Sequence, residues 1–226
     1  MKITYYGQNG FGIETQGHHL LTDPFITGND LAKDKIDINT LKAEYLLLTH
    51  AHQDHILDAE AITKNTGATI VAPFELANYF GAKELNVHPM NQGGSHDFGF
   101  FKVKLVSAVH SSSFPDGSYG GNPVGFIFTI EGKNIYMAGD TALTHDMKLI
   151  PSWFDIDLAI LPIGDNFTMG VDDAVLASDF VQCNKVIGCH YDTFPPIEID
   201  HDHAKSRFNK ANKELHLMEI GESMEF

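Results

Sequence analysis

Alternation of apolar and polar positions opens the chain. Ile3 to Tyr6, Gly10 to Glu14 and His19 to Pro24 read as short strands, punctuated by Gly7, Gly17 and Pro24. Tyr45-Leu46-Leu47-Leu48 follows as a strand, and His55 to Ile62 then carries apolar positions at helical spacing before stopping at Gly67. Ala68 to Ala72 predicts a buried strand, Phe74 to Phe80 a short helix ended by Gly81, and Phe98 to Val109 a long alternating strand. Gly125 to Ile130 and Asn134 to Ala138, joined by Glu131-Gly132-Lys133, predict a hairpin. The remainder alternates: strand Asp157 to Leu161, helix Asp172 to Gln182, strand Lys185 to Cys189, helix Ala204 to Ala211, and a last strand near Leu215 to Ile220. A strand-rich first half followed by alternating helix and strand fits an α/β class, two packed sheets with helices on the outer faces, rather than a purely doubly wound sheet.

Between the strand ending at Leu48 and the helix that follows lies Thr49-His50-Ala51-His52-Gln53-Asp54-His55, three imidazoles and a carboxylate in a few residues. In extended backbone, side chains at i and i+2 share a face, so His50 and His52 can converge on one cation as they leave the strand. A turn into helix swings Asp54 and His55 away from that pair and toward a second cation, about 3.5 to 4 Å from the first in two-metal hydrolytic sites. Without metal, the cluster would crowd polar, partly cationic groups against an apolar strand.

Composition narrows the partners. The chain has 226 residues, suited to a single domain over 1–226, and a formal net charge of -15 with Arg207 as the one arginine. Its basic residues are scattered and almost all lysine, which disfavours nucleic acid as a partner and leaves bidentate guanidinium clamps nearly unavailable. No apolar segment is long enough to cross a bilayer, and the opening residues read as strand rather than as a signal peptide, so no membrane partner is expected. Cys183 and Cys189 do not form a CxxC pair, which fits a reduced cytoplasm. A small-molecule substrate is expected, and a homo-oligomer is compatible with everything in the chain.

Several strand-like segments end in a metal-competent residue: Leu48 before His50, Val109 before His110, Ala138 before Gly139-Asp140-Thr141, and Cys189 before His190. Sites at strand termini are rigid on one side and open on the other, as a catalytic metal centre requires. With Leu21-Thr22-Asp23-Pro24-Phe25, the His50 to His55 run, His110, Gly139-Asp140-Thr141 and Cys189-His190-Tyr191-Asp192-Thr193-Phe194-Pro195, the chain resembles the metallo-β-lactamase superfamily essentially from end to end. Within it, the resemblance is to small bacterial metal-dependent hydrolases similar to ascorbate-6-phosphate lactonase. It implies a four-layer αββα sandwich, with His50, His52 and His110 on one metal, Asp54, His55 and His190 on the other, and Asp140 bridging. Asp23 would orient the ligand loop from behind rather than bind metal.

Imidazole and carboxylate donors with no thiolate point to two divalent ions, zinc first, with manganese or iron as alternatives. The reaction expected is hydrolysis of a small ester, lactone or phosphoester by a metal-bound hydroxide, with Asp54 orienting it and accepting its proton. Two alternatives stand beside it: a phosphodiesterase or nuclease of the same superfamily, and a noncatalytic metal-dependent binding protein. The segments Ser111 to Asn122 and Pro162 to Gly170 are candidates to shape a pocket or to be ordinary turns, the second carrying apolar Phe167 and Met169. His145 reads as a surface histidine before a speculative general acid. In His201-Asp202-His203 a helix cap from Asp200 or Asp202 is preferred to a metal site.

Overall fold

The computed structural model describes residues 1–226. By packing, the chain divides into two compact units, residues 1–94, 111–124 and 219–226 in the first and 95–110 and 125–218 in the second.

The first unit holds strands β1 (Lys2–Gly7), β2 (Gly10–Thr15), β3 (His18–Thr22), β4 (Tyr45–Leu47), β5 (Thr69–Pro73) and β6 (Val87–Met90). With the C-terminal strand β14 (Ser223–Glu225) they form a seven-stranded sheet in the order β14-β1-β2-β3-β4-β5-β6. The four strands from β14 to β3 pair antiparallel, and those from β3 to β6 pair parallel. Helices α1 (Gln53–Ile56), α2 (Ala59–Thr66) and α3 (Phe74–Gly81) follow the parallel strands. Ile62, Leu76, Ala77 and Phe80 from these helices pack with Leu46, Leu48, Ile70 and Ala72 in one buried cluster. Leu47, lying between two members of that cluster, is equally buried. Strands buried on both faces read as continuous apolar runs, which is why Leu46-Leu47-Leu48 lacks alternation.

The second unit contains β7 (Ser95–Asp97), β8 (Lys102–Ser107), β9 (Val124–Ile130), β10 (Lys133–Met137), β11 (Leu158–Pro162), β12 (Lys185–Cys189) and β13 (Glu214–His216), ordered β13-β12-β11-β10-β9-β8-β7. Strands β10 to β13 pair parallel, while β9 pairs with β10 antiparallel through the predicted hairpin. Its two-residue turn places Glu131 at φ 52° and Gly132 at φ 77°, the left-handed pair that matches strand twist. Helices α4 (Val171–Phe180) and α5 (His201–Lys210) contribute Ala174, Val175, Ala177 and Phe208 to a cluster with Tyr136, Ala159, Leu161 and Val186.

Three expectations are corrected. The helix after the ligand loop is two pieces, broken at Leu57-Asp58. There the Asp58 carboxylate accepts the backbone amides of Ile26 at 2.6 Å and Thr27 at 2.9 Å, which ties the helix start to the loop after β3. The long strand predicted over Phe98 to Val109 begins only at Lys102, because Gly99 at φ 94° turns the chain and Asp97 Oδ1 accepts its amide at 2.9 Å. The final strand is shorter than predicted, ending at His216, and Gly221 at φ 91° then turns the chain back toward β14 on β1.

Two outcomes test this packing. A Cβ on Gly164 would lie 2.1 Å from the His190 carbonyl oxygen and 3.0 Å from Ile197, so Gly164→Ala is expected to lower stability by at least about 1–3 kcal/mol in urea unfolding. Lys64 and Lys83 hydrogen-bond the Glu60 carboxylate at 2.7 and 2.6 Å and hold its pKa at about 2. Because the folded value lies below the ordinary 4.5, this contribution is complete above about pH 4.5 and fades as pH falls toward 2. Glu60→Gln is expected to flatten that part of the urea-midpoint profile against pH, and an unchanged profile would contradict it.

Candidate metal centre

Parallel register builds the donor cluster of the first unit. Thr22 sits opposite Leu47 in the β3–β4 pair, and the Asp23 amide donates to the Leu47 carbonyl at 3.1 Å, so the residues following the two strands lie side by side. Asp23, fully buried, accepts the Thr49 amide on Oδ1 at 2.8 Å. Its Oδ2 accepts Asn9 Nδ2 at 2.7 Å, Thr49 Oγ1 at 2.6 Å and His55 Nδ1 at 2.9 Å. Burying a carboxylate costs several kcal/mol, whereas each hydrogen bond to a charged group returns about 1.5–3 kcal/mol. Four such donors decide the balance for burial.

This network fixes which nitrogen each histidine presents. Because Thr49 Oγ1 donates its proton to Asp23, it accepts from His50 Nδ1 at 3.0 Å, leaving His50 Nε2 as the ring's lone-pair donor. His55 donates Nδ1–H to Asp23 and directs Nε2 toward Asp54 Oδ2, 3.5 Å away. His52 has Ser111 Oγ at 3.2 Å from Nε2, and its Nδ1 lies 2.9 Å from His50 Nε2. Each imidazole in this cluster thus has one nitrogen on an outer oxygen and the other turned toward a second donor, the arrangement that orients metal ligands. Two ligands bonded at about 2.1 Å to one cation stand roughly 3 to 3.5 Å apart, and the His50–His52 and Asp54–His55 pairs fit that spacing.

In the second unit the donors come from strand ends of the other sheet. Asp140, nearly fully buried, places Oδ2 at 3.0 Å from His190 Nε2 and 3.5 Å from His110 Nε2, so one carboxylate oxygen serves two imidazoles. Two hydrogen bonds hold the Asp140 loop to the segment after β8: Val109 N donates to Thr141 Oγ1 at 2.9 Å, and Ala142 N to the Val109 carbonyl at 3.0 Å. His190 adopts φ 55°, a left-handed conformation rare outside glycine that persists where surrounding structure over-determines it. Gly164 provides the closeness, since any side chain there would meet the His190 carbonyl.

Residues 2–190 match the beta-lactamase superfamily domain. Over 225 residues, covering all of both chains, the sequence is 66% identical to a UPF0173 metal-dependent hydrolase of Christiangramia forsetii. The chain belongs to this family. Another member, UPF0173 metal-dependent hydrolase YtkL of Bacillus subtilis, is 48% identical over 231 residues with full coverage of both chains. Among solved structures, Igni18, a metallo hydrolase of Ignicoccus hospitalis, superposes with a TM-score of 0.89 at 34% identity, covering 100% of this chain and 98% of that one. The two-sheet α/β fold is therefore that of the metallo-β-lactamase superfamily, and this UPF0173 chain is a metal-dependent hydrolase.

Several residues around the donors carried no chemical signal in the sequence. Gln8 donates from Nε2 to Asp54 Oδ2 at 2.8 Å, and Ser112 Oγ accepts the Ala51 amide at 3.2 Å. The Gly-rich segment after His110 is no ordinary turn: a Cβ on Gly120 would lie 2.2 Å from Ala51 Cβ, so this strap rests directly on the ligand loop. In the segment ending at Gly170, Met169 is core and donates its amide to the Thr141 carbonyl at 3.0 Å, whereas Phe167 stands exposed on a loop with Asp165 and Asn166 at positive φ. His145 and the His201-Asp202-His203 segment follow the surface and helix-cap readings. His145 is exposed beside the Phe180 ring, His201 pairs with Asp192, and Asp200 caps α5 by accepting the His203 amide at 2.9 Å.

Asparagine at position 23 would retain one acceptor and turn the other into a donor facing donors. Asp23→Asn is expected to weaken metal affinity about 10–100-fold in chelator competition; affinity equal to the parent would remove Asp23 from the site.

Proposed function

We propose that the two half-sets act together on a pair of divalent cations. In this reading His50, His52 and His110 form one donor group, and Asp54, His55, Asp140 and His190 the other, with Asp140 shared because a single oxygen serves both of its histidine partners. The observation that carries the reading is the outer oxygen behind each imidazole of the ligand loop, which for His50 and His55 pre-sets the tautomer a metal ligand needs. Imidazole and carboxylate donors fit zinc first, then manganese or iron. Cys183 and Cys189, both buried and unbridged, stay outside the donor set and support a reducing, cytoplasmic setting.

When bound, the cations supply an acidified water and a Lewis-acid contact to the substrate oxygen. The chain does the rest. Asp54, partly exposed and held at Oδ2 by Gln8, orients the nucleophile and takes its proton on the carboxylate. Asp23 keeps His50 and His55 in one tautomer throughout. The substrate we assign is a small ester, lactone or phosphoester. Polymeric nucleic acid is the weaker reading: the formal charge is -15, and Arg207, the one arginine, is engaged by Asp172 at 2.6 Å.

Elemental analysis of protein purified without added metal is expected to find close to two equivalents per chain, most of them lost in the His50→Ala, Asp140→Ala double variant. A panel of p-nitrophenyl esters, lactones and phosphodiesters then ranks the substrates. Full metal with no turnover of any member under zinc, manganese or iron would favour a noncatalytic binding protein.

A further inference from the structure

Gln8 occupies a position that turn formation does not explain. It lies in the short connection Gly7-Gln8-Asn9-Gly10 between β1 and β2, just after a register shift between Tyr5 and Gly7, and it adopts φ 52°. Glycine or asparagine takes that conformation far more readily than glutamine. The turn is already tied down by its neighbour, since Asn9 Nδ2 donates to Asp23 Oδ2. Gln8 instead reaches 46 residues along the chain to donate to Asp54 Oδ2 at 2.8 Å. The side chain is completely buried, and its other amide atom, Oε1, has no hydrogen-bond partner. A carboxylate carries no proton to give, so the amide nitrogen faces Asp54 and the oxygen is the atom left over. An apolar side chain would fill this space without leaving a buried acceptor unmet, and the residue present leaves one.

We infer that Gln8 is a positioning residue that fixes the plane of the Asp54 carboxylate, so that one oxygen is held on the His55 side. This rests on the assignment of Asp54 to the metal centre made above. The terminal torsion of an aspartate is broad, so a rotamer alone does not fix the plane of the carboxylate. A donor on Oδ2 fixes it. Gln8 donates to the same oxygen that stands 3.5 Å from His55 Nε2, which sets the direction of both carboxylate oxygens at once. Neutrality of the donor matters as well. A lysine or arginine at this place would offset the negative charge that attracts a cation, whereas an amide orients the carboxylate and leaves its charge intact. Neighbouring side chains of one turn thus hold two carboxylates, Asn9 the buried orienting one and Gln8 the ligand.

The test uses the full chain reconstituted with cobalt(II), whose visible absorption reports ligand geometry independently of turnover. Gln8→Leu, Gln8→Asn and Asp54→Ala are compared with the parent for thermal midpoint, cobalt spectrum and cobalt affinity by chelator competition. Gln8→Leu is expected to shift the spectrum and weaken the more loosely held equivalent about 10-fold. Gln8→Asn, which keeps an amide in the turn but is one methylene short, is expected to fold with a parent-like midpoint and show the same spectral shift. The Gln8→Leu, Asp54→Ala double variant is expected to match Asp54→Ala alone. A shifted spectrum in Asp54→Ala with parent-like spectra and affinity in both Gln8 variants overturns the role of Gln8 while Asp54 stays a ligand. Parent-like spectra in all three remove Asp54 from the centre, and the inference falls with it.

Discussion

A single buried carboxylate governs the geometry of the ligand loop. Asp23 gathers two donors from Thr49, one from Asn9 and one from His55, and through them decides which nitrogen of His50 and of His55 is protonated. Nothing in a histidine's own chemistry prefers one tautomer strongly enough to build a metal site. The preference has to be imposed from outside the ring. Here it is imposed by a charge deep in the sheet end, where replacing water's hydrogen bonds demanded a full complement of protein donors.

The sheet makes that arrangement possible. Because β3 and β4 are parallel and in register, the chain leaves both strands at the same end, and Asp23 and Thr49 emerge as neighbours. The same logic operates in the second sheet, where β10, β11 and β12 run parallel and release the Asp140, Gly164 and His190 segments at one edge. Strain accumulates at these exits. Asp23, Asp165, Asn166 and His190 all hold positive φ, and such conformations persist when the surroundings over-determine them.

Much of this was legible in the residues themselves. The His50 to His55 run after an apolar strand announced a strand, loop and helix bearing candidate ligands, because donor type and spacing are local properties. The Glu131-Gly132 hairpin, the α4 helix and the central strands of both sheets followed from turn chemistry and apolar runs. Tertiary capture hid the rest. The helix break at Leu57-Asp58 depends on amides some thirty residues away, and the shortened β8 depends on a turn made by Gly99 and the Asp97 side chain. Gln8, Thr49 and Ser111 sit among the donors through contacts spanning up to 59 residues or through a neighbour's tautomer, neither of which leaves a periodic mark.

Gly120 carries a lesson about how such an enzyme can diversify. Its bare backbone lies on Ala51, where even one methyl group would collide, so the underside of the strap is frozen by the ligand loop beneath it. Ser118 and Tyr119, a residue or two away, face outward and are exposed. Substitutions are therefore channelled to the strap's outer rim, where new side chains can be tried without disturbing the His50 to His55 run.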